Sequence, residues 1–188
     1  MVKKNNIITP EDQLLIDRSL SGHRSAQGTI YRKYAKAMFH VAIRIVPDRA
    51  TATDLTQDVF IKVFEELGRF RGESTLGAWI KRITINTCLN HLKKVGRLRV
   101  DELNEGVHQI AIEENSMSRD INMAEIHNAI KALPDGSRTI LNLYLLEGYQ
   151  HKEIARILGI SESTSKTQYR RGKLLLQEKL SAVYYNEE

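Results

Sequence analysis

Cysteine is almost absent: Cys88 is the only one in 188 residues. No internal disulfide can form, so the fold does not depend on an oxidising compartment. Proline occurs only at positions 10, 47 and 134. No apolar run approaches the roughly 18 residues of a membrane-spanning helix. The opening "MVKKNNIITPEDQLL" has no stretch long enough for a signal peptide. These absences predict a soluble, cytoplasmic chain. The parts of an enzyme site are missing too. There is no phosphate-cradling glycine motif, and the six histidines, at 23, 40, 91, 108, 127 and 151, show no metal-ligand spacing. Acidic residues lie on amphipathic faces, where solvation is the ordinary reason for their presence. No catalytic residue, metal, cofactor or small-molecule substrate is expected, and the chain does not read as an enzyme.

What remains is helical and mildly basic. Lys and Arg number 28 against 23 Asp and Glu, giving a net charge of +5 and a pI near 9.3. That permits nucleic-acid binding without establishing it. Abundant Leu, Ile, Lys and Glu with few alternating β-branched runs predict an all-α fold. The expected organisation is two small helical domains, 10–95 and 120–185, joined by a linker over 96–119.

Leu14, Leu15, Ile16 and Leu20 predict a short first helix stopped near Ser21-Gly22. Ile30, Tyr34, Met38, Val41 and Ile45 repeat at helical spacing, and Pro47-Asp48 ends that helix and starts the next. On the third helix Leu55, Val59, Val63 and Leu67 form one stripe, widened by Phe60 and Phe64, opposite Asp54, Asp58 and Glu65. Gly68 stops it, and Ser74 or Thr75 caps the following helix. The stretch 95–119 has no sustained periodicity, two glycines and five acidic residues, as a linker would. Ile126, Ile130 and Leu133 resume the helical spacing, Pro134-Asp135-Gly136 reads as a turn, and Ile140, Leu141, Tyr144 and Leu145 mark another helix ended by Gly148.

Two stretches carry chemistry. In residues 151–173, Ile154, Ala155 and Leu158 predict a short helix, Gly159 a tight turn with Ile160 plugging the corner, and Ser161 or Ser163 the cap of a second helix. That helix offers Ser163, Thr164, Lys166, Thr167, Arg170, Arg171 and Lys173. Cations neutralise phosphates or reach guanine edges, and hydroxyls bond to phosphates or bases, so such a helix suits the major groove. The competing reading is a helical hairpin with a solvated basic face.

The second stretch is "RFRGESTLGAWIKRITINTCLNHLKK", residues 69–94, which holds the only tryptophan. From Lys81 to Arg99 there are six Lys and Arg and no acidic residue. Asn86 and Asn90 share a helix face, with room for amide contacts to bases. Trp79 offers a surface for an unpaired base, an effect worth about 1–3 kcal/mol per base. The preceding loop, with Arg69, Arg71, Glu73 and Ser74, has the parts to close around an extruded base. The competing reading places Trp79 over the domain core between Leu76 and Ile83.

Both signals in this order resemble a bacterial RNA polymerase sigma factor of the extracytoplasmic-function group. "IYRKYAKAMFHVAIRIVPDRATATDLTQDVFIKVFEEL" resembles the start of the sigma-two domain, residues 69–94 its minus-ten recognition and melting part, and "ALPDGSRTILNLYLLEGYQHKEIARILGISESTSKTQYRRGKLLLQEKL" the sigma-four domain that reads the minus-thirty-five element. The resemblance spans most of residues 20–182. It implies core RNA polymerase and promoter DNA as partners, with promoter selection and DNA opening as the function. Asp54, Gln57 and Asp58 would dock on the clamp coiled coil of the polymerase. Arg69, Arg71, Ser74, Trp79, Arg82, Asn86, Asn90, Lys93 and Lys94 would engage the minus-ten element, the loop 68–75 capturing a flipped base. The linker would run near the active-site and RNA-exit path. An anti-sigma factor, often membrane-anchored in relatives, would hold the protein inactive.

The recognition helix departs from the pattern: many relatives carry an apolar residue at the position of Ser165. Tyr169 is then expected to supply more of the packing, and Gly172 within the helix to cost roughly 1 kcal/mol relative to Ala. Both make the second domain look marginal in isolation. Two further functions compete: a conventional helix-turn-helix regulator acting without polymerase, its N-terminal domain sensing or dimerising, and a protein-binding adaptor.

Overall fold

The computed structural model describes residues 7–96, 98 and 123–185. The linker predicted over 96–119 lies almost wholly outside the described residues. Among those described, all regular structure is helical. Contacts divide the chain into two compact units, the first ending at Val95.

The first unit is built from α1 (Pro10–Leu20), α2 (Arg24–Ile45), α3 (Arg49–Glu66), a 3-10 turn (Leu67–Arg69) and α4 (Leu76–Lys94). Each boundary has a local cause. The Thr9 hydroxyl accepts from the Asp12 amide at 3.1 Å with Pro10 in the first turn. Asp48 Oδ1 accepts from the Thr51 amide at 2.8 Å. Thr75, rather than Ser74, caps α4 by accepting from the Ala78 amide at 3.2 Å. Ile30, Val59, Val63, Leu67, Leu76 and Ile80 are buried at the centre, and the predicted α3 stripe is buried as expected. On α1 only Ile16 of the predicted apolar set is fully buried, while Leu14 and Leu20 are exposed.

A polar brace ties α1 to α2. Asp12 is buried, accepting from Lys33 Nζ at 2.9 Å and from the Tyr34 hydroxyl at 2.9 Å, while Lys33 also pairs with Glu11 at 2.8 Å. Burial acts to raise the Asp12 carboxyl, but the hydrogen bonds from Lys33, Tyr34 and Thr9 hold it below its usual range. Burial and Asp12 together push the Tyr34 phenol up to about 12. The Tyr34 ring also packs on Gly77 of α4, where a β-carbon would come within 3.0 Å of it.

The second unit comprises α5 (Met123–Lys131), α6 (Asp135–Leu145), α7 (His151–Leu158) and α8 (Glu162–Tyr185), with α8 packed on the other three. Pro134-Asp135-Gly136 is not a free turn: Pro134 caps α6, whose first turn contains Asp135 and Gly136. The cause is Arg138, which is buried, paired with Asp135, and donates to the carbonyls of Leu133 at 2.8 Å and Lys131 at 3.3 Å. It thereby satisfies the end of α5 while opening α6. The buried face of α6 is Ile140, Leu141 and Leu143, whereas Tyr144 and Leu145 are exposed.

Gly172 and Ser165 both lie on the buried side of α8. Gly172 is buried against α6, where a β-carbon would meet the Ser137 carbonyl oxygen and Leu141 Cδ1 at 3.4 Å, an ordinary contact distance. Ser137 donates to Gln168 Oε1 at 3.0 Å across that contact. Ser165 is fully buried with its hydroxyl 3.0 Å from His151 Nδ1. The sequence did not show this partner of Ser165, while nothing at Gly172 removes the expected cost of a glycine inside a helix.

Candidate nucleic-acid and polymerase interfaces

Three exposed surfaces carry the predicted residues. On α3, Asp54, Gln57 and Asp58 are all exposed. Their spacing of three and four puts them on one face. Ile61 continues that face at 57% exposure. The sequence reading missed it, although its signal was available: Ile61 falls out of step with the buried Leu55, Val59 and Val63.

On α4, Arg82, Asn86 and Asn90 recur every fourth residue, and each is exposed. Lys93 and Lys94 extend the strip to the helix end. At 1.5 Å per residue it runs about 18 Å. Opposite it, Ile80, Thr84, Cys88 and Leu92 are buried. Lys62 of α3 donates to Thr87 Oγ1 at 3.3 Å, helping to fix α4 against α3.

The loop into α4 exposes Arg69 and Arg71, with Ser74 half-buried. Gly72 turns it at φ +71°. Trp79 is not an open stacking surface: it is 8% exposed and belongs to the core. Phe70 covers it at a centroid distance of 5.2 Å and a 46° tilt. An indole needs more apolar contact than a loop supplies, and Phe70, Leu76 and Ile80 provide it. Trp79 therefore supports the loop from beneath. Phe70, between two arginines, is a contributor the sequence reading missed.

The third surface is the helix pair α7–α8. Gln150 donates its amide to Glu153 Oε2 at 2.8 Å, opening α7. Gly159, at φ +73°, ends it, and the amides of Gly159 and Ile160 both donate to the Ala155 carbonyl. Ser161 caps α8 by accepting from the Thr164 amide at 3.0 Å, so Ser163 is left outward. Ser163, Lys166, Thr167, Arg170, Arg171 and Lys173 are exposed, and Thr164 is half-buried. Lys166 pairs with Glu162 at 2.7 Å on the surface. A pair so exposed is weakly held and is readily exchanged for a phosphate.

The Sigma-70 region 2 family model matches residues 30–98, and the Sigma-70, region 4 model matches 123–176. The RNA polymerase sigma-H factor of Pseudomonas aeruginosa is 33% identical over 184 residues, covering 92% of this chain and 95% of the relative. The chain belongs to the RNA polymerase sigma factors. It is an alternative sigma factor of the extracytoplasmic-function group, acting with core RNA polymerase on promoter DNA. The ECF RNA polymerase sigma-E factor of Escherichia coli strain K12 is 27% identical over 183 residues, covering 92% of this chain and 95% of the relative. Among solved structures, the fold is similar to the sigma factor RpoE of Bartonella quintana in complex with the anti-sigma factor NepR (24% identity, TM-score 0.56, covering 82% of this chain and 96% of that one). It is also similar to CnrH bound to the cytosolic domain of CnrY (21% identity, TM-score 0.54, covering 92% and 98%). Sigma factors are not an enzyme family. No helix among the described residues is long and apolar enough to cross a membrane.

Proposed function

We propose how this sigma factor divides its work. The domain over 10–95 docks on the polymerase through Asp54, Gln57 and Asp58, with Ile61 adding an apolar contact. An acidic face on a basic protein suits a protein partner better than DNA. The same domain engages the minus-ten element as an unpaired strand. Arg69, Arg71 and Ser74 lie on the loop that receives an extruded base, Arg82, Asn86 and Asn90 contact base edges and backbone, and Lys93 and Lys94 hold phosphates. Trp79 acts through the loop it supports and not by stacking. The domain over 120–185 reads the minus-thirty-five element as duplex, with Ser163, Thr164, Lys166, Thr167, Arg170, Arg171 and Lys173 at the groove.

The observation that carries this reading is the exposed strip of Arg82, Asn86, Asn90, Lys93 and Lys94 on the helix that follows the Gly72 loop. It joins a cationic track to amides within reach of base edges, as recognition of a single strand requires. Unstacking costs a few kcal/mol per step. Base capture and polymerase contacts offset it, so opening needs no ATP. The chemistry of RNA synthesis belongs to the polymerase, and this chain contributes no catalytic group. Its place of action is the cytoplasm with the polymerase, and its inhibitory partner is an anti-sigma protein, as NepR is to the sigma factor of similar fold.

The experiment is in vitro transcription with purified core polymerase and a promoter library. Selected promoters are expected to share two separated elements, and the chain alone is expected to bind them poorly. Tight binding of a duplex site by the chain alone, with no effect on polymerase, would sink the proposal.

A further inference from the structure

His151 opens α7 and meets two other helices. Its ring stacks on Tyr144 of α6, with centroids 4.5 Å apart and planes 15° from parallel. Its edge lies against Tyr169 of α8 at 5.4 Å and 68°. Tyr144 and Tyr169 touch each other at 4.7 Å. Nδ1 lies 3.0 Å from the hydroxyl of Ser165, which no solvent reaches. Ser165 and Tyr169 are four residues apart, so the imidazole grips two successive turns of α8. Ser165 also sits between Thr164 and Lys166, two of the predicted groove residues. Its inward orientation therefore sets which side chains of α8 point outward.

We propose that His151 is a positioning residue for minus-thirty-five recognition: by holding Ser165 and Tyr169 against Tyr144, it fixes the rotation of α8 that presents Ser163, Thr167 and Arg170 to DNA. The proposal rests on reading α8 as the recognition helix. It assigns the neutral imidazole as the working form. The charged and titratable groups around the ring are Tyr144 from α6, Glu162, Lys166 and Tyr169 from α8, and Lys152 on its own helix. Burial, and then Lys166, hold the imidazole below its ordinary value of 6.5, while Glu162 acts the other way. The amides of the first turn of α7 also disfavour a cation there. A histidine depressed on folding leaves stability unaffected at high pH. Stability is lost as pH falls toward and below the ordinary value, where protonation favours the loosened state.

The test uses holoenzyme on two templates, one with the selected upstream element and one with that element scrambled. The readout is the ratio of transcription from the two. Arg170→Ala serves as the control for the recognition-helix reading. His151→Phe keeps a ring but leaves the Ser165 hydroxyl without its partner, and is expected to lower the ratio roughly tenfold. Adding Ser165→Val, which converts the pair to apolar packing, is expected to restore it. Between about pH 7.5 and about pH 5.5 the wild-type ratio is expected to fall and that of the double variant to stay level. If Arg170→Ala loses the ratio while His151→Phe keeps the wild-type value, the role of His151 is overturned. The same holds if the double variant loses the ratio in acid in parallel with wild type, a readout that survives even if the single variant unfolds. If neither wild type nor Arg170→Ala responds to scrambling, the recognition-helix reading fails, and the inference with it.

Discussion

Ile8 packs directly onto the backbone of Gly72: a β-carbon at that glycine would lie 2.8 Å from Ile8 Cδ1. The segment ahead of α1 thus seats the loop that carries Arg69, Arg71 and Ser74. Gly72→Ala adds both the clash and an L-residue at φ +71°. It is expected to cost about 1–2 kcal/mol in denaturant unfolding. Permanganate probing of unpaired thymines should show open complexes forming more slowly with unchanged polymerase binding. Wild-type kinetics in a folded variant would remove the loop from the opening step.

Trp79→Ala removes a core side chain capped by Phe70. The expected loss is about 3–5 kcal/mol, seen as a lowered melting temperature of the first domain before any effect on DNA can be measured. An unchanged melt with impaired opening would instead support direct stacking on a base.

Asp58→Lys lies on an exposed face, so the folding cost is expected to stay within about 0.5 kcal/mol. Association with core polymerase should weaken, and more at low salt than at high salt. Normal co-purification at low salt would remove the docking assignment.

Arg170→Ala is expected to cost about 1–3 kcal/mol if the guanidinium reads a base, with relaxed preference at one position of the upstream element. Lys166→Ala should weaken binding evenly across sequences and reduce the salt dependence. Selection from a randomised upstream element distinguishes them, and unchanged occupancy in both would dismiss the α8 surface.

Asp12→Asn tests the brace between α1 and α2. The Asp12 carboxyl is held below its ordinary value of 3.8, so its contribution is complete above that value and is lost as pH falls through the depressed one. At neutral pH the variant should be about 1–3 kcal/mol less stable, because Lys33 and Tyr34 lose a charged acceptor. Its acid unfolding should also be flatter than wild type. Parallel acid limbs would show that the brace does not govern acid stability.

Several helix boundaries and faces were legible from local signals: Asp48 at the start of α3, Gly159 as a left-handed end, and the α3 stripe all follow from near neighbours in the chain. The exposed strip of Arg82, Asn86 and Asn90 was legible for the same reason, since spacing alone puts those side chains together. What was not legible depends on partners distant in sequence. His151 and Ser165 are 14 residues apart, Tyr34 and Asp12 are 22, and Ser137 and Gln168 are 31. Periodicity identifies a face but not what covers it, so the sequence left Trp79 open between a base platform and a core cover, and Phe70 lying on it decides for the core. Ser165 read as a weakness for the same reason. Asp135 and Gly136 read as a turn because the buried guanidinium of Arg138 is invisible to composition.

The buried Cys88 has a practical consequence. Burial pushes its thiol up to about 12, so at neutral pH almost no thiolate is available to a maleimide or an oxidant. A cysteine introduced at an exposed position outside the proposed contacts, such as Ala78 or Gln177, would therefore take a fluorophore against a chemically silent background. The motion of each helix proposed to face DNA could then be followed during initiation.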